Sequence, residues 1–180
     1  MSEFAQGFIA HLQRLQERDR GALAVLRRSL SFAPGAYPPA YPYVERFVAA
    51  ERHAQDASRL ALYLTAGLFA AHPEQGAKSL ATSLGELMRK RDSASIEQRF
   101  IALLGADAEN LAVYLRQIIS LLAGDDRVLD YGVLLQDLRI WLNPHSDAER
   151  RDNVRQRWAR DFYRALTAPA AESTEQAAND

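Results

Sequence analysis

Apolar residues recur at spacings of three and four positions along nearly the whole chain, and no segment alternates between apolar and polar residues as a strand would. This period matches one face of an α-helix. The strongest match begins at Leu111, where apolar side chains fill positions i, i+3, i+4, i+7, i+8 and i+11. The pattern predicts an all-α protein.

Prolines, glycines and capping residues set the ends of the predicted helices. These cover residues 4–18, 23–31, 43–51, 57–71, 79–91, 95–104, 107–123, 130–142 and 146–166. The segment 57–71 is apolar on almost every side, which predicts a central position. Four prolines and a glycine in residues 32–42 predict a long loop without regular structure.

Polar residues at several helix starts match capping patterns. Ser95 with Gln98, and Ser146 with Glu149, fit the capping box, while Asp107 and Asp130 are candidate N-caps. A polar break near Asp92 divides the chain into two expected helical lobes of a compact bundle, residues 1–92 and 93–167. The small, polar and acidic residues 168–180 predict a disordered tail.

The composition excludes several classes of protein. The 180 residues are 48% apolar, enough for a real hydrophobic core, and the absence of Cys excludes disulfides, thiolate nucleophiles and Cys-based metal sites. The longest apolar run is residues 60–71, shorter than the roughly 20 residues of a membrane span. We read no export signal at the N-terminus. We therefore expect a soluble, cytoplasmic protein without membrane association.

Motifs for catalysis or metal binding are missing from the sequence. The four histidines are dispersed, and neither a nucleophile elbow nor a phosphate loop is present. The pair Asp125 and Asp126 follows a predicted helix end, and the acids at 147, 149 and 152 lie in a predicted first helical turn, where they oppose the helix dipole. We expect no catalytic residue, metal or cofactor, although an enzyme using Asp125 and Asp126 is a disfavoured alternative.

Arginine dominates the basic residues: only Lys78 and Lys90 of the 22 are lysine. A guanidinium suits phosphate and carboxylate recognition, although a GC-rich coding sequence would produce the same bias. Position is more informative. On an ideal helix with Trp158 at zero, Arg150, Arg157, Arg160 and Arg164 fall between about 200° and 280°. This stripe resembles the electrostatic footprint of a phosphate-binding surface, or it is a solvated face partly neutralised by Asp161.

Other arginines allow two interpretations. Arg27, Arg99 and Arg139 lie at the edges of predicted apolar faces, where an arginine either pairs with a buried acid or points outward to a ligand. The run of residues 89–91 ends a helix, where cations meet the dipole. Trp141 and Trp158 fit core positions, and the sequence shows no interleaving of aromatic and basic residues typical of base readout.

Six segments, in this order, resemble one known family. They are LRRSL at 26–30, LYLTAGLFAAHP at 62–73, SIEQRFIALL at 95–104, LRQIISLL at 115–122, DYGVLLQDLRIW at 130–141 and VRQRWARDFYR at 154–164. Together they look like CasB, the small subunit of the type I-E CRISPR Cascade complex. The resemblance covers about residues 12–166, and the acidic tail falls outside it.

The resemblance implies a non-catalytic helical protein, present in more than one copy beside the backbone and large subunits of Cascade. Its basic face would bind nucleic acid without sequence preference and stabilise the R-loop formed between guide RNA and DNA. Matching segments suggest Arg27, Arg99, Arg116, Arg139, Arg157 and Arg160 as contacts, and the stripe adds Arg164. The alternative is a helical adaptor whose arginines bind acidic protein surfaces and never touch nucleic acid.

Overall fold

Nine α-helices and two turns of 3₁₀-helix make up most of the computed structural model, which describes residues 2–50 and 52–168. The helices are α1 (Glu3–Arg18), α2 (Arg20–Ser29), α3 (Tyr41–Val44), α4 (Ala57–Ala71), α5 (Leu80–Arg91), α6 (Ala94–Leu104), α7 (Leu111–Ala123), α8 (Tyr131–Trp141) and α9 (Ala148–Thr167). The described ranges contain no strand beyond an isolated bridge between Gln75 and Leu129, which confirms the all-α prediction.

Helix α4 is the centre of the fold. Every residue from Ala61 to Ala70 is buried, and α2, α7 and α8 pack around it. A helix surrounded in this way needs apolar residues on all sides, which is the pattern its sequence carries. The predicted bounds of 57–71 and the predicted central position are both confirmed.

One apolar core connects helices from both halves of the chain, from Phe8 in α1 to Phe162 in α9. Helix α8 packs against α1 and α4, and α5 packs along α9. Between α5 and α6 the chain turns at Asp92, which adopts a left-handed conformation with φ of 48°. The division into lobes at this turn stays a prediction.

The interface between α5 and α9 is close because Gly85 lacks a side chain. A Cβ at this position would collide with the carbonyl oxygen of Phe162 and lie 2.9 Å from the Cβ of Ala165. Glycine therefore allows the backbones of the two helices to approach each other. This contact fixes α9, which carries the arginine stripe.

Two predicted helix starts are confirmed by side-chain caps, and the two predicted capping boxes are wrong. Ser79 and Asp130 cap α5 and α8 through their side chains. Neither capping box forms: Ser95 lies inside α6 with its hydroxyl 3.0 Å from that of Ser93, and the turn before α9 ties the amide of Ser146 to the carbonyl of Asn143. The residues that precede these helices, Ser93 and Asp147, make no side-chain cap.

Asp107 caps a turn before α7 rather than the helix itself. Its carboxylate accepts a hydrogen bond from the amide of Asn110 at 2.8 Å, and the helix begins one residue later at Leu111. The predicted start was therefore one turn early.

The segment before α4 differs most from the prediction. Residues Pro38–Ala40 form a 3₁₀ turn and α3 begins at Tyr41, because a helix's first turn needs no amide donor and so accepts proline. The predicted helix over 43–51 is wrong. Helix α3 ends at Val44, since Glu45 enters a 3₁₀ turn and its carboxylate accepts hydrogen bonds from Arg59 and Tyr63 of α4. The predicted disorder of the tail concerns residues outside the described ranges from residue 169 onwards.

Candidate nucleic-acid interface

A groove of about 800 Å³ opens between the C-terminal end of α2 and helices α4, α6 and α7. Three of the predicted arginines line it: Arg27 from α2, Arg99 from α6 and Arg116 from α7. Leu68 of α4 and Ile119 of α7 add apolar lining. Residues separated by more than 80 positions in the sequence therefore meet in one surface feature.

Helix geometry explains why these arginines point outward. Each is preceded or followed by a buried apolar residue, namely Leu26, Phe100 and Leu115. Adjacent positions on a helix differ by about 100°, so burial of the neighbour turns the arginine toward the surface. All three arginines are exposed.

The groove is electropositive. Its lining includes three arginines and no Asp or Glu, and none of the three forms an ion pair within the described ranges. Arg116 donates one hydrogen bond, from Nη1 to the carbonyl oxygen of Leu30 at 2.9 Å. A guanidinium has five N–H donors, so most of its donors stay available to an anion.

Sequence reasoning missed two polar residues of the groove, Gln117 and Ser120 of α7. Both are exposed, and Ser120 follows Arg116 by four positions, so the two share a helix face. A search for polar residues on the exposed face of Arg116 would have found them. Their side chains add neutral hydrogen-bonding groups beside the guanidinium.

Arg139 lies away from the groove. Its Nε donates to the hydroxyl of Ser58 at 3.1 Å, and its guanidinium lies 5.7 Å from the ring centre of Phe4. It lines a smaller cavity of about 300 Å³ with Phe47 and Leu62. The structure therefore separates Arg139 from the other predicted contacts.

The arginine stripe of α9 has two parts. Arg157 donates to the buried carboxylate of Asp137 in α8. Arg150, Arg160 and Arg164 are exposed and make no ion pair in the described part of the chain. Asp161 accepts a hydrogen bond from Ser79, the N-cap of α5, at 2.9 Å, so its carboxylate is engaged where α5 meets α9. Arg160 and Arg164 thus present positive charge to solvent.

Burial dominates the electrostatics of Asp137. Removal from water raises the pKa of its carboxyl, while hydrogen bonds from Arg157 and from Trp158 Nε1, the latter at 2.7 Å, favour the ionised form. The nearby carboxylate of Asp161 raises the pKa further. This arrangement joins α8 to α9, and it places Trp158 in the core as its apolar position predicts.

The basic run at the end of α5 is occupied by structural contacts. Arg89 donates to the carbonyl oxygens of Ala165 and Ala168 at 2.8 and 2.5 Å, which closes the C-terminal end of α9. Lys90 and Arg91 both pair with Asp125. These three cations therefore contact other residues of the same chain.

The acid pair that could suggest catalysis is also accounted for. Hydrogen bonds from Lys90 and Arg127 lower the pKa of the Asp125 carboxyl. Asp126 lies in a left-handed turn with φ of 49°. A carboxylate held ionised by two cations is a poor general acid, so the contacts favour a structural role.

The buried histidines hold the fold together. His11 Nε2 lies 2.9 Å from the carbonyl oxygen of Tyr43, and His72 Nε2 lies 2.7 Å from that of Arg127. Burial lowers the pKa of His11. Within residues 2–50 and 52–168, no three His, Asp or Glu side chains form a group able to hold a metal ion. No helix in these ranges has both the length and the apolar content needed to cross a bilayer.

Comparisons with known proteins agree with this helical architecture. A sequence model of the family described as CRISPR-associated protein Cse2 matches residues 22–163. The CRISPR-associated protein Cse2 of Thermus thermophilus is 43% identical over 162 residues, which are 88% of this chain and 89% of that protein.

Solved structures extend the match to three dimensions. The crystal structure of CasB from Thermus thermophilus is 42% identical with a TM-score of 0.75, over 91% of this chain and 99% of that one. CasB from M. ruber is 34% identical with a TM-score of 0.74, over 92% and 96%. A chain of a CRISPR RNA-guided surveillance complex, at 24% identity and a TM-score of 0.75, shares the fold over 91% and 94%. The resemblance noted in the sequence is confirmed, and the chain belongs to the Cse2 (CasB) family of CRISPR-associated proteins.

Proposed function

We propose that this protein is a non-catalytic small subunit of a CRISPR surveillance complex of the Cascade type. In that complex it binds nucleic acid through phosphates, without reading sequence, and stabilises the R-loop. One observation carries the proposal: Arg27, Arg99 and Arg116 converge on a groove that no acidic residue of the described ranges lines. A similar chain in a CRISPR RNA-guided surveillance complex supports the assembly.

The groove has the chemistry expected of a protein that assists base pairing between guide RNA and DNA. Contacts to phosphate position a protein on a strand, whereas contacts to base edges specify sequence. In a guide-dependent complex the RNA reads the sequence by base pairing, so a protein that holds the opened strands needs only phosphate contacts. The three exposed guanidiniums of the groove can supply these phosphate contacts without recognising base edges.

A second basic surface, Arg160 and Arg164 of α9, extends the proposal. Each residue is exposed, and their spacing of four places them on one helix face. Weak contacts of this kind gain strength when several basic surfaces engage one strand. Its proposed partners are the other Cascade subunits, guide RNA, DNA and a second copy of this chain. The proposed location of the complex is the cytoplasm.

The test compares two triple variants of equal charge in the assembled complex. One is R27Q/R99Q/R116Q, and the control is R14Q/R18Q/R28Q, whose arginines are also exposed but do not line the groove. Arg28 is the best-matched position because it neighbours Arg27 in the last turn of α2. We expect the groove variant alone to shorten the lifetime of the R-loop on target DNA.

The alternative function, a helical adaptor for acidic protein surfaces, predicts a different result. The groove variant would then fail to co-purify with the other subunits, and ultraviolet crosslinking would detect no DNA on the wild-type chain within the complex. Normal assembly together with an unchanged R-loop lifetime would remove the groove from the nucleic-acid site.

A further inference from the structure

An aromatic pair lies in the loop that follows Leu30 and Ser31, two residues of the groove lining. The rings of Phe32 and Tyr37, in the loop after α2, stack with centres 4.6 Å apart and planes 18° apart. Tyr37 is partly buried against the core, whereas Phe32 is 45% exposed. Tyr37 therefore supports one face of Phe32, and much of the Phe32 ring meets solvent.

The loop that carries this pair is held in place by its own contacts. The amide of Phe32 donates to the carbonyl of Ser29 at 3.0 Å, and the hydroxyl of Tyr41 donates to the carbonyl of Gly35 at 3.0 Å. Gly35 has φ of 77°, and a Cβ there would collide with the guanidinium of Arg59. The ring of Phe32 is thus presented by a preorganised loop.

Phe32 is next to the groove along the chain. Leu30 and Ser31 line the groove, and Phe32 is the following residue. Consecutive Cα atoms lie about 3.8 Å apart, so the backbone of Phe32 directly follows the lining residue Ser31. The hydrogen bond from Arg116 to the carbonyl of Leu30 brings a guanidinium within two residues of this ring.

We propose that the stacked Phe32–Tyr37 pair is a platform for an unpaired nucleobase whose phosphates lie along Arg27, Arg99 and Arg116. The inference rests on the proposed function and deepens it, because it selects single-stranded nucleic acid. In a duplex each base face is covered by its neighbours, whereas an unpaired base can stack on an aromatic ring. Stacking tolerates any sequence because every base has a π-face.

Charge favours a nucleic-acid strand over a protein as the occupant. An exposed aromatic ring alone could contact an apolar protein surface, but Phe32 directly follows the lining of a groove with three arginines and, among the described residues, no acid. A single strand combines flat apolar bases with a regular line of negative charges. It therefore matches both parts of the surface at once.

The test measures binding of three fluorescent probes by the full chain at low salt. The probes are a single strand containing 2-aminopurine, a strand of the same length with abasic sites, and a duplex. Phe32→Leu keeps an apolar side chain over Tyr37 but removes the flat ring, and Phe32→Trp keeps a ring. Thermal unfolding of both variants checks that the loop still folds.

We expect Phe32→Leu to weaken binding of the base-bearing strand by about 5- to 150-fold, the range of one stacking contact. Binding of the abasic strand and the duplex should not change, and Phe32→Trp should keep the affinity and the quenching of 2-aminopurine. An equal effect of Phe32→Leu on the base-bearing and abasic strands would overturn the platform.

The outcomes separate this inference from the proposed function. If R27Q/R99Q/R116Q weakens the abasic probe but Phe32→Leu affects no probe, phosphate binding stands and the platform is wrong. If the Phe32→Leu protein binds all three probes normally but no longer co-purifies with the other Cascade subunits, the aromatic pair contacts protein and the platform is wrong. If the wild-type chain binds none of the probes, the platform is wrong, whereas the proposed function is decided by the R-loop lifetime of the assembled complex.

Discussion

Arg157 of α9 forms an ion pair with Asp137 of α8, a residue that is only 3% exposed. The same carboxylate accepts a hydrogen bond from Trp158 Nε1. The side chain of Arg157 is 44% exposed, so it contacts a buried carboxylate while part of it remains at the surface. Two consecutive residues of α9 therefore hold this helix against α8.

Asp137→Ala should destabilise the protein by about 2–4 kcal/mol. The substitution leaves the buried Trp158 N–H without an acceptor and removes the partner of Arg157. Urea unfolding measures the change. Asp152→Ala is the control, because Asp152 is exposed and its ion pair, with Arg155 one turn away, is worth less than about 1 kcal/mol. Equal effects of the two substitutions would contradict a structural role for Asp137.

The pKa of Asp137 predicts how stability depends on pH. Burial raises this pKa, so the folded state holds the proton more tightly than the unfolded state. Stability should then fall as pH rises from the ordinary Asp pKa, about 4, to the raised folded value. Asp137→Asn retains an acceptor for Trp158 but does not titrate. The stability of this variant should therefore lack the pH dependence that Asp137 contributes. Urea unfolding of both proteins at several pH values tests the difference, and parallel curves would contradict it.

The exposed end of the stripe can be tested without disturbing the core. R160Q/R164Q should reduce DNA binding by the assembled complex and leave the unfolding temperature unchanged, because neither side chain makes an ion pair in the described ranges. Replacing Arg157 by an acid would instead place two carboxylates together at a buried site, so it would test stability. Unchanged DNA binding by R160Q/R164Q would exclude this surface.

The helices were predictable from the sequence wherever apolar spacing is regular. Helix α4 has its predicted bounds, and α8 begins after its predicted cap Asp130. The segment around α3 was not predictable, because its geometry depends on Glu45 reaching Arg59 and Tyr63 of a later helix. The predicted cap Ser95 lies inside α6, where its hydroxyl is 3.0 Å from that of Ser93, a local contact that apolar periodicity does not contain.

The candidate site was predictable as a set of residues but not as a surface. Arg27, Arg99 and Arg116 come from three helices, and tertiary packing alone brings them to one groove. Arg139 and Arg157 match the same pattern, yet they contact Ser58 and Asp137. The stacked aromatic pair was missed for the same reason, since Phe32 is far in sequence from two of the three arginines.

Two glycines offer a matched test of helix packing. Gly85→Ala should destabilise the protein by about 1–3 kcal/mol, because the new methyl group would collide with the backbone carbonyl of Phe162. Gly7→Ala should stabilise it by up to about 1 kcal/mol, because Gly7 is exposed within α1 and a Cβ there meets nothing within 4 Å. Urea unfolding measures both, and a stable Gly85→Ala protein would show that α9 can move away from α5.

The salt dependence of duplex DNA binding counts the phosphates held by the groove. Each neutralised phosphate contributes about −0.9 to the slope of log affinity against log salt concentration. If Arg27, Arg99 and Arg116 each neutralise one, R27Q/R99Q/R116Q should make the slope less negative by about 2.7, as measured by fluorescence anisotropy at several salt concentrations. Because the control R14Q/R18Q/R28Q removes the same charge away from the groove, its slope should stay near the wild-type value. Equal slope changes in the two variants would mean that overall charge, and not the groove, attracts the DNA.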